Sequence, residues 1–308
     1  MKGHVNYINE LFEIVENIPN LEPDKAVLQA RKWIKEFTKA ESHEFAVIKI
    51  GGESLAPISS DFIRDIGILS NLGLYSPIVY GWGKALTAKL TQEGIETKFH
   101  PTTGDRITTA EQHPFLEEIA DKFGNRLIEK LADAGINARL VKGVFQAVPT
   151  QLQDYTDQHY TGEVTSVNPE DIIRSISEGY VPIVSPLGIH ESGGHTLNIN
   201  GDSAASALTV ELGPQKFIYL TEVGKVYDLQ EERLPKIVLA TDYERLCDNG
   251  TLTGGMGKKV ATLKQALEGA NTKNAKTVAA IASPHNLIPE LFTDEGVGTY
   301  VQSKSNGD

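Results

Sequence analysis

Apolar side chains recur at helical spacing at the start of the chain. Ile8, Leu11, Val15 and Ile18 repeat every three to four residues, proline then interrupts the pattern, and a second repeat covers 26–37. This spacing predicts two amphipathic helices ahead of the rest of the chain. The pair has two interpretations: a helical cap over an apolar patch, or a contact for another subunit or an effector.

From residue 45 onward, short apolar runs alternate with longer helical repeats. The runs that predict buried strands are 45–50, 75–79, 139–144, 181–184, 216–220 and 277–281. The repeats that predict helices are 63–72, 84–93, 117–134, 202–212 and 257–267. Strands that alternate with helices are typical of β-α-β crossovers, so we expect an α/β fold with a mostly parallel sheet. The stretch 143–167 lacks a strong repeat and is interpreted as a hairpin insertion near a ligand.

Composition and charge narrow the range of functions. A chain of 308 residues is long enough for one large domain or two lobes, and its single cysteine excludes an internal disulfide and a multi-cysteine zinc site. The net charge of -12 disfavours broad binding to nucleic acid. No apolar run reaches the roughly 20 residues that span a bilayer, and the acidic N-terminus does not resemble a signal peptide. We therefore expect a cytoplasmic protein without a membrane partner, and without a metal site because its histidines show no ligand spacing.

Two glycine-containing turns follow predicted strands. Lys49-Ile-Gly-Gly52 ends the first strand, and Tyr80-Gly-Trp-Gly-Lys84 ends the second at the start of a predicted helix. Glycine lets the backbone turn sharply and approach a ligand, and helix N-termini attract phosphate. Each turn therefore favours an anion site, with an ordinary turn as the alternative. Neither matches the P-loop or the dinucleotide-binding motif.

Three further motifs place polar or charged residues near predicted turns and helix starts. In Asn198-Ile-Asn-Gly-Asp202 the polar side chains fit either a helix cap or a ligand site. Thr253-Gly-Gly-Met-Gly-Lys-Lys259 puts two lysines where they oppose the helix dipole, which favours a bound anion. Arg106 could hold a carboxylate of a ligand, or could form a surface salt bridge with Asp105 or Glu111. The absence of a Gly-x-Ser-x-Gly motif disfavours a hydrolase triad.

Taken together and in this order, these motifs resemble the amino acid kinase family, and within it the acetylglutamate kinase subgroup. The resemblance covers about residues 45–301 and includes Leu220-Thr-Glu-Val-Gly224. The N-terminal helices and the segment 291–300 are similar to members in which the kinase is joined to an acetyltransferase domain. Because the sequence ends at Asp308, we expect either a kinase-only member or part of a longer protein.

The resemblance implies a three-layer αβα sandwich with two lobes and a helical N-terminal extension. The implied division is 1–42 for the extension, 43–212 for the lobe that binds the acyl amino acid, and 213–308 for the nucleotide-binding lobe. The implied reaction transfers a phosphoryl group from ATP, with Mg²⁺ carried by the nucleotide, to the side-chain carboxylate of N-acetyl-L-glutamate in arginine biosynthesis. A carboxylate with a pKa near ~4.3 is already ionised at neutral pH, so this reaction needs no general base.

The resemblance also assigns roles to individual residues. Lys49 and Lys259 would stabilise charge on the transferred phosphoryl group, and Asp202 would orient both lysines. Arg106 and Asn198 would hold the α-carboxylate of the substrate. The other residues implied on the substrate side are Asn200, Gly81, Trp82 and Gly83. Those implied on the nucleotide side are Gly51, Gly52, Thr221, Glu222, Val223, Tyr227, Gly255 and Met256. Backbone N–H groups for the phosphates are implied at Gly51, Gly52, Gly81 and Gly83.

One loop departs from the family pattern, which usually has His-Gly-small-Gly-Pro where this chain has Tyr80-Gly-Trp-Gly-Lys84. The indole of Trp82 could crowd the transferred phosphate, or could swing outward and cover the site. Two alternatives therefore accompany the kinase interpretation. One is a non-catalytic domain that senses arginine or acts as a scaffold, and the other is a kinase for a different carboxylate or carbamate. A homo-oligomer with arginine as feedback effector is also implied by the resemblance.

Overall fold

The computed structural model describes residues 2–51, 59–101, 104–151, 159–272 and 276–304. In these ranges the helices are α1 (Lys2–Glu16), α2 (Pro23–Phe37), α3 (Ser60–Asn71), α4 (Gly83–Gln92), α5 (Phe115–Asp133), α6 (Glu170–Ser177), α7 (Gly201–Leu212), α8 (Leu239–Asp248), α9 (Gly254–Thr272) and α10 (Leu287–Phe292). The strands are β1 (Ala46–Ile50), β2 (Ile78–Tyr80), β3 (Lys98–Phe99), β4 (Arg106–Ile107), β5 (Ala138–Val141), β6 (Phe145–Pro149), β7 (Thr161–Val167), β8 (Val181–Val184), β9 (Leu187–His190), β10 (Thr196–Ile199), β11 (Lys216–Leu220), β12 (Val226–Tyr227), β13 (Arg233–Leu234), β14 (Lys236–Val238), β15 (Val278–Ala282) and β16 (Thr299–Gln302).

Eight strands form the central sheet, in the order β14-β16-β15-β11-β1-β2-β8-β5. Neighbouring strands of this sheet are parallel except β15 and β16, which run antiparallel. The predicted α/β class with a mostly parallel sheet is therefore confirmed. The predicted strands all lie in this sheet, whereas the edge strand β14 and its neighbour β16 had no clear pattern in the sequence.

Side chains alternate across the sheet and so divide it into two faces. Ile48, Ile50 and Ile218 point to one face, where they join an apolar cluster formed with α1–α5 and α10. Val47 and Phe217 point to the opposite face, where α6–α9 complete a second cluster. Helices on both faces of one sheet make the predicted three-layer αβα arrangement. By the same alternation, residues 49 and 219 share the face that carries α7 and α9.

A small closed barrel of β6, β7, β9 and β10 adjoins the central sheet. The strands β6 and β7 pair antiparallel, which confirms the predicted hairpin at 143–167, although residues 152–158 lie outside the described part. The interior of the barrel has no room for larger side chains. A Cβ on Gly162 would come within 2.7 Å of Leu197, and one on Gly188 would come within 2.7 Å of Ala147.

The two N-terminal helices pack on the first face of the sheet, against α3 and α10. Leu11 and Val15 are fully buried there, so the interpretation as a helical cap describes their packing. The α2 helix is also tied to the segment after α10. The indole N–H of Trp33 donates to Asp294 at 2.8 Å, and Lys25 pairs with Glu295 at 2.8 Å. A contact with another subunit or an effector stays a prediction.

Candidate active site

Three parallel strands end side by side in the middle of the sheet. Ile50 lies in register with Tyr80 on one side and with Leu220 on the other. The loops that follow β1, β2 and β11 therefore leave the same edge, although they are far apart in the sequence. Ligands of open α/β sheets bind beyond such carboxyl ends, and two adjoining cavities lie at this edge.

The first cavity, of about 240 Å³, is lined by every residue predicted on the substrate side. These residues are Gly81, Trp82, Gly83, Arg106, Asn198 and Asn200. Lys49 and Asp202 also line it, and Leu86 and Phe99 add an apolar wall. Thr161 of the β6–β7 hairpin is a further lining residue, so the hairpin does lie beside this cavity.

The guanidinium of Arg106 is buried against neutral acceptors. It donates to the backbone oxygen of Gly83 at 2.9 Å and to the hydroxyls of Thr87 at 2.6 Å and Thr97 at 3.2 Å. Among the described residues no carboxylate pairs with it, so the surface salt bridge considered from the sequence is not formed. Burial lowers the pKa of Arg106 to about 10, which leaves it charged at neutral pH. A buried cation without a carboxylate is costly, and an anionic ligand would offset that cost.

Lys49 lies at the junction of the two cavities. Its Nζ atom is 2.6 Å from Asp202 Oδ1 and donates to the hydroxyl of Tyr219 at 2.9 Å. Burial alone would raise the pKa of Asp202, but the Lys49 ammonium, the Tyr219 hydroxyl and the charge of Lys259 hold it below its usual range. Asp202 is therefore an ionised carboxylate that keeps the Lys49 ammonium in place.

The second cavity, of about 380 Å³, brings together lysines from three elements. Lys49 of β1, Lys84 of α4 and Lys259 of α9 all line it. The other predicted residues on its lining are Gly51, Gly83, Asp202, Thr221, Glu222 and Val223. The Lys259 ammonium donates to the backbone oxygen of Gly255 at 3.3 Å, in the first turn of α9. The locally positive lining suits an anion in a protein whose overall charge is negative.

Trp82 is 3% exposed and belongs to the apolar core of the first face. Its indole lines the first cavity and is not among the described residues that line the second. Trp82 therefore does not swing outward into solvent. It forms part of the lining of the first cavity, together with Arg106 and Asn198.

Some of the predicted site residues form hydrogen bonds within the protein. Asn200 caps α7 by accepting from the backbone N–H of Asp202 at 2.9 Å, and its amide donates to Asp105 at 2.7 Å. The backbone N–H of Gly81 donates to the backbone oxygen of Ile50 at 2.9 Å, and that of Gly51 donates to the backbone oxygen of Leu220 at 3.4 Å. Both N–H groups are therefore used within the sheet. This does not support the implied role of binding phosphates.

Three residues predicted on the nucleotide side are not among the described residues of the two cavity linings. Tyr227 lies in the β12–β13 hairpin and is 41% exposed. Met256 packs against the apolar core of the second face, and Gly255 lies in the first turn of α9. Gly52 lies outside the described residues. The roles of these four residues stay predictions.

The sequence analysis assigned no site role to Lys84, Leu86, Phe99 or Thr161, which line the cavities, and it also missed the contact residue Tyr219. The only signal for Tyr219 is a hydroxyl-bearing side chain in the otherwise apolar end of the run at 216–220. The signal points to the site only once it is known that β1 pairs with β11 and that this pairing places Lys49 beside Tyr219.

Two absences hold for the described ranges of the chain. None of the helices there is long and apolar enough to cross a membrane. No group of three or more His, Cys, Asp and Glu side chains is arranged there to hold a metal ion.

Comparison with known proteins agrees with this architecture. The acetylglutamate kinase of Desulforamulus reducens is 32% identical over 295 residues, which cover 93% of this chain and 99% of that protein. Protein arg-6 of Neurospora crassa, named as mitochondrial, is 32% identical over 281 residues, but the chain spans only 31% of its length.

A solved structure shares the fold. The N-acetylglutamate synthase of Neisseria gonorrhoeae, in complex with coenzyme A and L-arginine, superposes with a TM-score of 0.72 at 21% identity, over 90% of this chain and 64% of that one. The sequence pattern of the amino acid kinase family matches residues 44–274, which is most of the chain and includes both cavities. This chain therefore belongs to the amino acid kinase family.

Proposed function

We propose that this protein is an acetylglutamate kinase, which phosphorylates the side-chain carboxylate of N-acetyl-L-glutamate with ATP in arginine biosynthesis. The observation that carries the proposal is the pair of lysines, Lys49 and Lys259, on one cavity beside Asp202. The adjoining cavity holds the buried cation of Arg106. Relatives named acetylglutamate kinase that match over nearly their whole length support the same activity.

The first cavity is the binding site for the acyl amino acid in this proposal. Arg106 and Asn198 would hold the α-carboxylate, because a guanidinium and an amide N–H are both donors to carboxylate oxygens. The apolar wall of Trp82, Leu86 and Phe99 would contact the methyl group and the methylene chain. All lining residues of this cavity fall within 49–202, which supports assigning residues 43–212 to the substrate lobe.

The second cavity is the binding site for the polyphosphate of ATP. Lys84 and Lys259 supply positive charge, and Thr221 to Val223 form the wall contributed by residues 213–308, the proposed nucleotide lobe. Magnesium suits this site as an ion carried by the nucleotide, because it keeps several waters and binds mainly substrate phosphates with one or two carboxylates. Asp202 and Glu222 are the described carboxylates on this lining.

The reaction would need alignment and positive charge. A carboxylate oxygen attacks the γ-phosphorus, the bond to the β-phosphate oxygen breaks, and ADP leaves with the electron pair, so no proton is transferred. Negative charge spreads over the phosphoryl oxygens between donor and acceptor. Lys49 and Lys259 would neutralise that charge, and Asp202 would keep Lys49 directed at it.

Trapping of the product tests the proposal. We expect the purified protein, with Mg²⁺-ATP and N-acetyl-L-glutamate, to form ADP and an acyl phosphate that hydroxylamine converts to a hydroxamate. N-Acetyl-L-aspartate, one methylene shorter, is the matched control and should react far more slowly. Arginine binding without ATP binding in calorimetry would support a non-catalytic domain instead. Faster turnover of another carboxylate or of carbamate would support a sister kinase.

We also propose that the N-terminal helices mediate homo-oligomer formation and arginine inhibition in a cytoplasmic enzyme. Asp294 and Glu295 pair with Lys32 and Lys25 of α2, and in this proposal the guanidinium of arginine would replace a lysine at these carboxylates. The fold relative from Neisseria gonorrhoeae was crystallised with L-arginine.

The paired substitution Asp294→Asn and Glu295→Gln should abolish inhibition by arginine at an unchanged rate without arginine. Activity measured against arginine concentration checks this, with Glu268→Gln on α9 as the control. Deleting residues 1–42 tests assembly by light scattering. Unchanged oligomer mass and unchanged arginine response would contradict this part of the proposal.

A further inference from the structure

We propose that Tyr219 is a positioning residue for phosphoryl transfer, because its hydroxyl holds the Lys49 ammonium and the Asp202 carboxylate in their reactive arrangement. This inference rests on the proposed function and adds a group to it. Tyr219 would act through its two charged neighbours and would not need to contact the phosphoryl group itself.

The parallel register of β1 and β11 places Tyr219 directly beside Lys49. Both side chains point to the face of α7 and α9, where Asp202 lies in the first turn of α7. The Lys49 ammonium lies 4.3 Å from the centre of the Tyr219 ring and donates to its hydroxyl at 2.9 Å. The ring and the hydroxyl of Tyr219 thus both lie close to the Lys49 ammonium.

The Tyr219 hydroxyl can bind the Lys49 ammonium and the Asp202 carboxylate at the same time, because it accepts from one and donates to the other. Because the Tyr219 oxygen accepts from Lys49, its own proton is free to bind the Asp202 carboxylate. Burial and the charge of Asp202 both raise the pKa of Tyr219, so that proton stays on the hydroxyl. Tyr219 is 1% exposed, so bulk water does not compete for its hydroxyl.

This arrangement restricts Lys49 to one position. A lysine side chain has four rotatable bonds, and ordering it costs free energy that the enzyme must supply before each turnover unless neighbours hold it in place. Asp202 alone binds one ammonium proton and leaves the rest of the group free to rotate about that contact. The Tyr219 hydroxyl adds the second fixed contact.

The substitution Tyr219→Phe tests the inference because it keeps the ring and removes only the hydroxyl. We expect kcat to fall about tenfold, the effect of one hydrogen bond to a charged group. The KM values for ATP and acetylglutamate should stay within about twofold, because the hydroxyl acts on the transition state more than on binding. The matched control is Tyr300→Phe, a buried tyrosine of the same sheet that lines neither cavity, and it should leave kcat unchanged.

A pH profile separates positioning from a general loss of structure. The Asp202 carboxylate faces Lys49 of β1, Tyr219 of β11 and Lys259 of α9, while Lys84 of α4 and Glu222 line the same cavity. Loss of the Tyr219 hydrogen bond would raise the pKa of Asp202. The acid limb of kcat, where activity is lost as the pH falls through that pKa, should therefore move to higher pH. A purely structural defect would lower kcat at every pH and would leave the pH of the acid limb unchanged.

The outcomes distinguish this inference from the proposed function. An inactive wild-type protein contradicts the proposed function. An active wild type whose Tyr219→Phe variant keeps its kcat, or keeps its acid limb, contradicts the inference alone, as would an equal loss in Tyr300→Phe. Rates are compared at a temperature where circular dichroism shows each variant folded. Tyr219→Met, which fills the space with a flexible apolar chain, replaces the phenylalanine variant if that variant does not fold.

Discussion

Replacing Lys259 with alanine should lower kcat by about 10²-fold or more, the usual cost of removing one group that stabilises transition-state charge. Lys259 is one of the lysines on the second cavity, and its ammonium donates to the Gly255 backbone oxygen in its own helix. Because the side chain is partly exposed, its removal leaves no buried charge unpaired and the fold should be retained. Steady-state release of ADP measures the effect.

Lys264 provides the matched control on the same helix. It pairs with Glu268 at 2.7 Å and lines neither cavity, so Lys264→Ala should keep kcat within about twofold. The role of Lys259 in charge stabilisation would be wrong if both alanine variants lost activity to the same extent. It would also be wrong if Lys259→Ala changed only the KM for ATP.

Replacing Arg106 with glutamine should lower kcat/KM for acetylglutamate by about 10²- to 10³-fold. Truncating one partner of a buried, hydrogen-bonded charge pair costs about 2–5 kcal/mol, and the other partner here would be the substrate carboxylate. Most of the loss should appear as a higher KM, because the α-carboxylate is bound equally in the ground state and in the transition state. Initial rates over a range of acetylglutamate concentrations measure it.

The KM for ATP serves as the internal reference for this variant. Arg106 lines the first cavity and is not among the described lining residues of the second, so the KM for ATP should not change. Arg139→Gln, which removes an exposed arginine paired with Glu178, controls for the loss of a positive charge. Equal increases in KM for both substrates would contradict the assignment of the two cavities.

Local sequence patterns were sufficient to predict the strands at the centre of the sheet. The run that became β11 was predicted at its observed ends, and β1 was predicted to within one residue. Buried central strands are continuous apolar runs, which is why they stand out in a sequence. The edge strand β14 and its neighbour β16 are three and four residues long and depend on the strands beside them, so no local pattern identified them.

Glycine turns and lysines near a helix start marked Lys49, Gly81 and Lys259 as candidates in the sequence, and the resemblance to the amino acid kinase family implied further residues such as Trp82 and Thr221. The sequence could not decide between a cap and a ligand role for Asn200, since both need the same amide. The structure shows Asn200 capping α7, while Asp202, two residues later, pairs with Lys49. The difference depends on where β1 ends relative to the start of α7.

Residue order and periodicity by themselves determined the α/β class, the parallel sheet, the N-terminal helices and the motifs of the amino acid kinase family. The period of each helix and strand depends on residues close together in the chain, and the alternation of strands with helices then favours a parallel sheet. Only the tertiary structure decided that Tyr219 touches Lys49, that Arg106 has no carboxylate partner among the described residues and that Trp82 is a buried part of the first cavity's lining. Those facts depend on strand register and on which helix covers which face, and both are set by packing between segments far apart in the sequence.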